Sequence, residues 1–201
     1  MRIGVDIDGV LANFNDSFIS TIIEVTGRDL FPERPFDIPT WYYPEFYGYT
    51  KEEMDFVIGS VWKAVKANET FWQNLKPYPT TLNDLRYLVE REDSGDEVYY
   101  ITDRAGITPK FQTEMWFLGQ DGTDVVPTVL ISGMKGLCAK ALKLDVYIDD
   151  KWENILNVIE MSPNTRVFIL DRPWNRGHDD VEAQYGIERV YCVEGICERA
   201  A

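Results

Sequence analysis

Basic residues are scarce in this sequence. Among 201 residues, 20 Lys and Arg face 34 Asp and Glu, a net charge of −14. Such a chain lacks the broad basic face that holds extended nucleic acid, and it is poorly matched to an anionic membrane surface. One histidine and three cysteines are all that remain for soft-metal or thiol chemistry. Cys138, Cys192 and Cys197 are odd in number and have no CxxC spacing. They make neither a disulfide framework nor a zinc site, and reduced thiols in a soluble cytoplasmic protein are expected. His178, in Arg176-Gly177-His178-Asp179-Asp180, reads as a solvated loop residue. No apolar run approaches the roughly 18 residues of a membrane span. Asp6 and Asp8 interrupt the N-terminal apolar stretch where a signal peptide needs its core. Repeats and low-complexity segments are lacking too.

What is there is an ordinary globular balance, 45% apolar and 27% charged. It suffices for one sizeable core. Ile3, Val5 and Ile7 read as a buried strand, and Gly9 permits a sharp exit from it. Residues 15–25 read as a helix stopped by Gly27. Prolines at 32, 35, 39 and 44 then exclude a long helix. Thr50 with Glu53 forms a capping box, and Met54, Val57, Ile58, Val61, Trp62 and Val65 follow at helical spacing. After Pro79 helices and strands alternate, with strands at 97–102, 128–132, 146–148, 166–170 and 189–193. This alternation predicts βαβ units on a parallel sheet with helices on both faces. The expected fold is α/β, a three-layer Rossmann-like core at 1–27 and 78–201. A small helical cap at 28–77 follows the first strand.

Parallel sheets bind ligands beyond the carboxyl ends of their strands. Four such ends carry a consistent pattern: Asp6-Ile7-Asp8-Gly9, Thr102-Asp103-Arg104, Ser132-Gly133-Met134-Lys135, and Asp149-Asp150. Each alone also reads as a turn, a helix cap or a solvated side chain. Together they place four carboxylates in one crevice, where like charges repel unless a cation sits among them. Oxygen ligands without His or Cys suit Mg²⁺. A metal with Lys135 and Thr102 fits phosphoryl transfer, which needs positioning and charge neutralisation.

These four motifs, in this order, resemble those of the haloacid dehalogenase superfamily, over residues 2 to about 171. The opening Asp6-Ile7-Asp8-Gly9-Val10-Leu11-Ala12, the position of the insert and the paired Asp149-Asp150 are similar to the 5′(3′)-deoxyribonucleotidase branch. The resemblance implies Asp6 as nucleophile and Asp8 as general acid, then base. It implies Mg²⁺ held by Asp6, the Asp8 main-chain carbonyl and Asp149, with Asp150 direct or through water. It assigns the phosphoryl group to Thr102, Asp103 and Lys135. Lys140 and Lys143 share the predicted helix, but Lys135 begins it, nearest the crevice. Asp103 stands where a second small hydroxyl residue is usual, and Arg104 follows, as in a bacterial and phage-type branch. Arg104 either contacts substrate or pairs with an acid such as Asp103 or Asp150.

The insert is densely aromatic from Trp41 to Tyr49. A small cap needs its own core, and Trp62 reads as part of it. The loop holds too many rings to bury, so Trp41, Tyr43, Phe46 and Tyr47 are expected to meet substrate, a base stacking on an aromatic ring. The implied activity is Mg²⁺-dependent hydrolysis of (deoxy)ribonucleoside 5′-monophosphates by a monomer or homodimer. The alternatives are another small phosphate ester, a nucleic-acid 3′-phosphate end, or a non-catalytic Mg²⁺- or nucleotide-binding protein. A phosphorylatable receiver is disfavoured by the long insert after the first strand.

Overall fold

The computed structural model describes residues 1–31, 43–123 and 125–198. The chain starts with β1 (Arg2–Val5), β2 (Ala12–Asn13) and α1 (Phe14–Thr26). Helices α2 (Tyr43–Phe46) and α3 (Lys51–Ala67) follow, then β3 (Lys76–Pro77) and α4 (Thr81–Asp93). Next come β4 (Glu97–Thr102), α5 (Pro109–Leu118), β5 (Val129–Ile131) and α6 (Lys135–Leu142). The chain then runs through β6 (Val146–Asp149), α7 (Trp152–Met161), β7 (Arg166–Leu170), α8 (Asp179–Tyr185), β8 (Glu188–Val190) and α9 (Gly195–Glu198). Six strands form one sheet in the order β5-β4-β1-β6-β7-β8, every pair parallel.

The strands are apolar on both faces because both are covered. Val146, Ile148, Phe168 and Leu170 pack into one cluster with Leu85 and Leu88 of α4 and Trp116 and Phe117 of α5. Their neighbours Tyr147, Val167 and Ile169 point the other way, to Ala139 of α6 and Ile155 and Val158 of α7. The alternation of period two divides the side chains between two helical layers. This is the α/β architecture that the sequence pattern predicts.

Local signals act as expected. Thr50 Oγ1 accepts the Glu53 amide at 3.2 Å, and Glu53 returns a carboxylate to the Thr50 amide at 2.7 Å. Replacing Thr50 by Ala will lower the unfolding free energy by about 1 kcal/mol. It will show as a lower urea midpoint with an unchanged slope; an unaltered midpoint would refute the cap's contribution. Gly27 ends α1 in the left-handed region at φ 69°.

Three details differ from the sequence expectation. The antiparallel ribbon of β2 and β3, with Ala12 opposite Pro77 and Asn13 opposite Lys76, was not predicted. Two-residue strands leave no periodicity to read. Helix α6 stops at Leu142 because Lys143 takes a left-handed turn at φ 53°, which brings the Leu144 amide to Ala139 O at 3.0 Å. Strand β8 ends at Val190, and the buried Val193 instead donates its amide to Asp84 Oδ1 at 2.8 Å.

The ribbon brackets residues 14–75, and within that segment α1 lies against α3. Phe14 and Phe18 meet Trp62 at ring-centroid distances of 5.9 and 5.2 Å. No helix among the described residues is long and apolar enough to cross a membrane.

Candidate active site

The site forms where β1, β4 and β6 end side by side. Past β1, the Asp6 amide donates to Ile148 O at 3.0 Å, which extends the pairing into the Asp6–Gly9 segment. The chain then turns tightly, the amides of Leu11 and Ala12 both reaching Ile7 O at 2.8 Å. Gly9 sits there at φ 91°, and a Cβ would run into the Asp150 carboxylate. Only glycine meets both demands. Arg172 clamps the outside of the turn, donating Nε to Gly9 O at 2.7 Å and Nη2 to Val10 O at 3.0 Å.

Carboxylate oxygens of Asp6, Asp149 and Asp150 lie within 4.8 Å of one another, all buried. Asp149 is heavily restrained. Its Oδ2 accepts from Tyr147 Oη at 2.5 Å, its Oδ1 accepts the Lys151 amide at 2.9 Å, and the Asn154 amide reaches both oxygens. Asp150 Oδ2 accepts Trp174 Nε1 at 2.8 Å, whereas its Oδ1 is buried with no hydrogen-bond partner among the described residues. An orphaned carboxylate oxygen is costly unless something positive meets it. Burial pushes the Asp6 carboxyl from the usual 3.8 up to about 7; Lys135 opposes this, and Asp149 and Asp8 reinforce it. Burial and the Asp149 charge also drive Asp150 well upward. Three buried carboxylates so close together fit a hard divalent cation such as Mg²⁺.

Lys135 opens α6 and is 2% exposed. Its Nζ donates to Asp6 Oδ1 at 2.5 Å and also to Ile101 O. Lys140 and Lys143 are exposed. Lys151 borders the same cavity. Burial acts to depress it, but the charges of Asp150, Asp6 and Asp149 more than offset this and hold it above its usual range.

Asp8 points elsewhere. Its Oδ2 accepts Thr102 Oγ1 at 3.0 Å and Arg104 Nε at 3.0 Å, and its Oδ1 accepts Arg104 Nη2 at 2.7 Å. Arg104 does pair with an acid, but with Asp8 rather than Asp103 or Asp150. Asp103 is exposed at the cavity rim.

Above the carboxylates lies a cavity of about 320 Å³. Phe14, Phe18, Phe31, Ile58, Trp62 and Trp72 supply its apolar wall, and Asn15 and Asn154 add polar groups. These rings were not singled out for substrate from the sequence, which assigned Trp62 to the cap core. Phe14 and Phe18 stand four apart, a helical pair facing one side, and that was the available signal. Of the rings that were singled out, Trp41 lies outside the described residues, and of Tyr43 only the backbone, in α2, is described. Phe46 is 41% exposed and Tyr47 packs on Phe31 at 5.1 Å; neither lines the cavity. His178 is exposed and rests its ring 5.3 Å from Trp152.

A family model described as "5′ nucleotidase, deoxy (Pyrimidine), cytosolic type C protein" matches residues 1–191. The chain belongs to this 5′-nucleotidase family. It is a phosphoric monoester hydrolase of the haloacid dehalogenase superfamily. A structure described as a haloacid dehalogenase-like hydrolase from Bacteroides fragilis superposes with a TM-score of 0.62. It is 13% identical, over 97% of this nucleotidase and 98% of that chain. Another so described, from Burkholderia xenovorans, gives 0.54 at 14% identity, over 98% and 94% of the two chains. A hydrolase from Pseudomonas syringae gives 0.53 at 13% identity, over 99% and 98%. At these identities the likeness establishes the fold that the nucleotidase shares with them. No curated protein matches the sequence.

Proposed function

We propose that this nucleotidase hydrolyses (deoxy)ribonucleoside 5′-monophosphates with Mg²⁺, through an aspartyl-phosphate on Asp6. The observation that carries the reading is the buried triad Asp6–Asp149–Asp150, faced by Lys135 and roofed by an aromatic cavity. Asp6 attacks phosphorus while Asp8 protonates the departing ester oxygen. Asp8 then takes a proton from the water that cleaves the phosphoenzyme. Lys135, Thr102 and Asp103 border the transferring group. Asp6, Asp149, Asp150 and the Asp8 carbonyl would hold the metal, which supplies charge neutralisation for the phosphoryl oxygens. The apolar wall offers a nucleobase about 1–3 kcal/mol per stacked ring.

The decisive assay is phosphate release from a panel of nucleoside monophosphates and sugar phosphates, with Mg²⁺ or EDTA. Release from nucleotides, abolished by EDTA, is the expected result. Equal release from sugar phosphates, or none from nucleotides, would overturn the assignment.

A second consequence concerns pH. Without metal, Asp6 titrates near 7 in the fold against the usual 3.8. Its contribution to stability is therefore fully present below about pH 4 and is lost as pH rises through about 7. Cation binding needs the ionised form. The rise in Tm on adding Mg²⁺ will thus be larger at about pH 8 than at about pH 5.5. A Tm shift independent of pH would count against Asp6 as a ligand.

A further inference from the structure

As general acid and then base, Asp8 moves a proton twice, and the structure shows what holds its carboxylate. Arg104 meets it fork to fork, Nε on Oδ2 at 3.0 Å and Nη2 on Oδ1 at 2.7 Å. Two parallel bonds fix the plane of a carboxylate as well as its distance, which one ammonium cannot do. Arg104 is itself immobilised. It is 2% exposed, its Nη1 donates to Thr113 Oγ1 at 2.9 Å, and its guanidinium lies 5.1 Å from the Trp72 ring centroid.

Trp72 is held in turn. Its amide donates to Gln112 Oε1 at 2.9 Å and its Nε1 to Ala105 O at 2.9 Å. Its ring stacks on Phe14 at 5.7 Å, and both rings line the cavity. An unbroken set of contacts therefore runs from the cavity wall through Trp72 and Arg104 to Asp8. Nε, Nη1 and Nη2 each make a bond inside the protein, which turns Arg104 to Asp8 and Thr113.

We propose that Arg104 is the positioning residue for proton transfer by Asp8, aimed by Thr113 and by the face of Trp72. The proposal rests on Asp8 being the general acid and base. In the first half-reaction the Asp6 oxygen–phosphorus bond forms as the phosphorus–ester oxygen bond breaks, and the Asp8 proton goes to that oxygen. In the second, water oxygen bonds phosphorus, its proton goes to Asp8, and the Asp6–phosphorus link breaks. Both transfers need the carboxylate edge presented toward the crevice at hydrogen-bond range.

The test separates positioning from mere support by changing the leaving group. p-Nitrophenolate departs as a stable anion without a proton, whereas a nucleoside 5′-oxygen needs one. First-turnover release of p-nitrophenolate and of nucleoside would be measured for wild type, Asp8→Asn, Arg104→Gln and Arg104→Lys. The expected result is nucleoside release slowed about 10²-fold in both Arg104→Gln and Asp8→Asn, with p-nitrophenolate release within about 3-fold of wild type. Arg104→Lys will recover only part of the loss, because it keeps the charge and loses the fork. KM will change little.

Equal slowing on both substrates would assign Arg104 to phosphate binding or to the fold and overturn the proposal, as would wild-type behaviour. If Asp8→Asn treats both leaving groups alike, the role of Asp8 fails, a signature distinct from failure at Arg104 alone, and the proposal falls with it. Should the Arg104 variants not fold, Thr113→Val removes the Nη1 partner while keeping the side-chain shape. It will reproduce the pattern at about 5–10-fold, and its absence there would equally overturn the proposal.

Discussion

Asp6→Asn will lower kcat by at least about 10⁴-fold while making the metal-free protein more stable near neutral pH. The loss follows from chemistry. An amide oxygen is a poor nucleophile and forms no aspartyl-phosphate, and Asp149 is held by Tyr147, Lys151 and Asn154. The gain follows from electrostatics. Burial and two neighbouring carboxylates resist ionisation of Asp6, pushing it up to about 7. A neutral amide of the same shape removes that penalty and leaves Lys135 an acceptor. About 1–3 kcal/mol of added stability is expected at about pH 8, shrinking as pH falls through about 7 and vanishing below about pH 4, where Asp6 is neutral in the folded and unfolded states alike. The same variant will lose most of the Tm rise produced by Mg²⁺. Paired activity and denaturation measurements check all three effects. Residual turnover within tenfold of wild type would sink the nucleophile assignment. Unchanged stability across pH would remove the electrostatic account and leave the chemistry standing.

The parts of this molecule that were legible in advance share a physical basis. β1, β4, β6 and β7 are apolar on both faces, and a sheet covered on both sides leaves that mark in the sequence. Asp6, Thr102 and Asp149 were legible because each stands at or just past the end of such a strand, and Lys135 because it opens the helix after β5. Helix α3 announced itself through Thr50 and Glu53. What stayed hidden depends on side-chain direction in three dimensions. That Arg104 turns to Asp8 rather than to its neighbour Asp103 is decided by Thr113, nine residues on in α5, and by Trp72, from before β3. Trp62 and Trp72 carry apolar spacing that suits a core as well as a cavity wall. Only the placement of α1 against α3 shows that the wall faces an opening. The roles of Asn154 and Trp174 were silent because one reaches the site from the first turn of α7 and the other from the segment after β7, with no motif of its own.

Lys135→Met is expected to cost both activity and fold. The Lys135 ammonium donates to Asp6 and to the Ile101 carbonyl at a position 2% exposed. Methionine fills the space with a flexible apolar chain and satisfies neither acceptor. Removing one partner of a buried ion pair typically costs about 3–5 kcal/mol, because the remaining charge keeps its desolvation penalty. Here the penalty has a pH signature. Lys135 is what restrains the upward displacement of Asp6, so without it the carboxyl titrates higher still. The loss will therefore be greatest above about pH 7 and will shrink as acid protonates Asp6. Mg²⁺ will restore part of the stability, since a divalent cation replaces the missing positive charge. It will not restore turnover, which is expected to fall about 10³-fold. In the proposed reaction the lysine would meet developing charge on the phosphoryl group, and a metal held by Asp6, Asp149 and Asp150 would supply further charge neutralisation without replacing it. Urea denaturation at two pH values, with and without Mg²⁺, alongside kcat for a nucleotide, measures every term. A pH-independent destabilisation would make Lys135 a packing residue, and a kcat within threefold of wild type would remove it from the phosphoryl site.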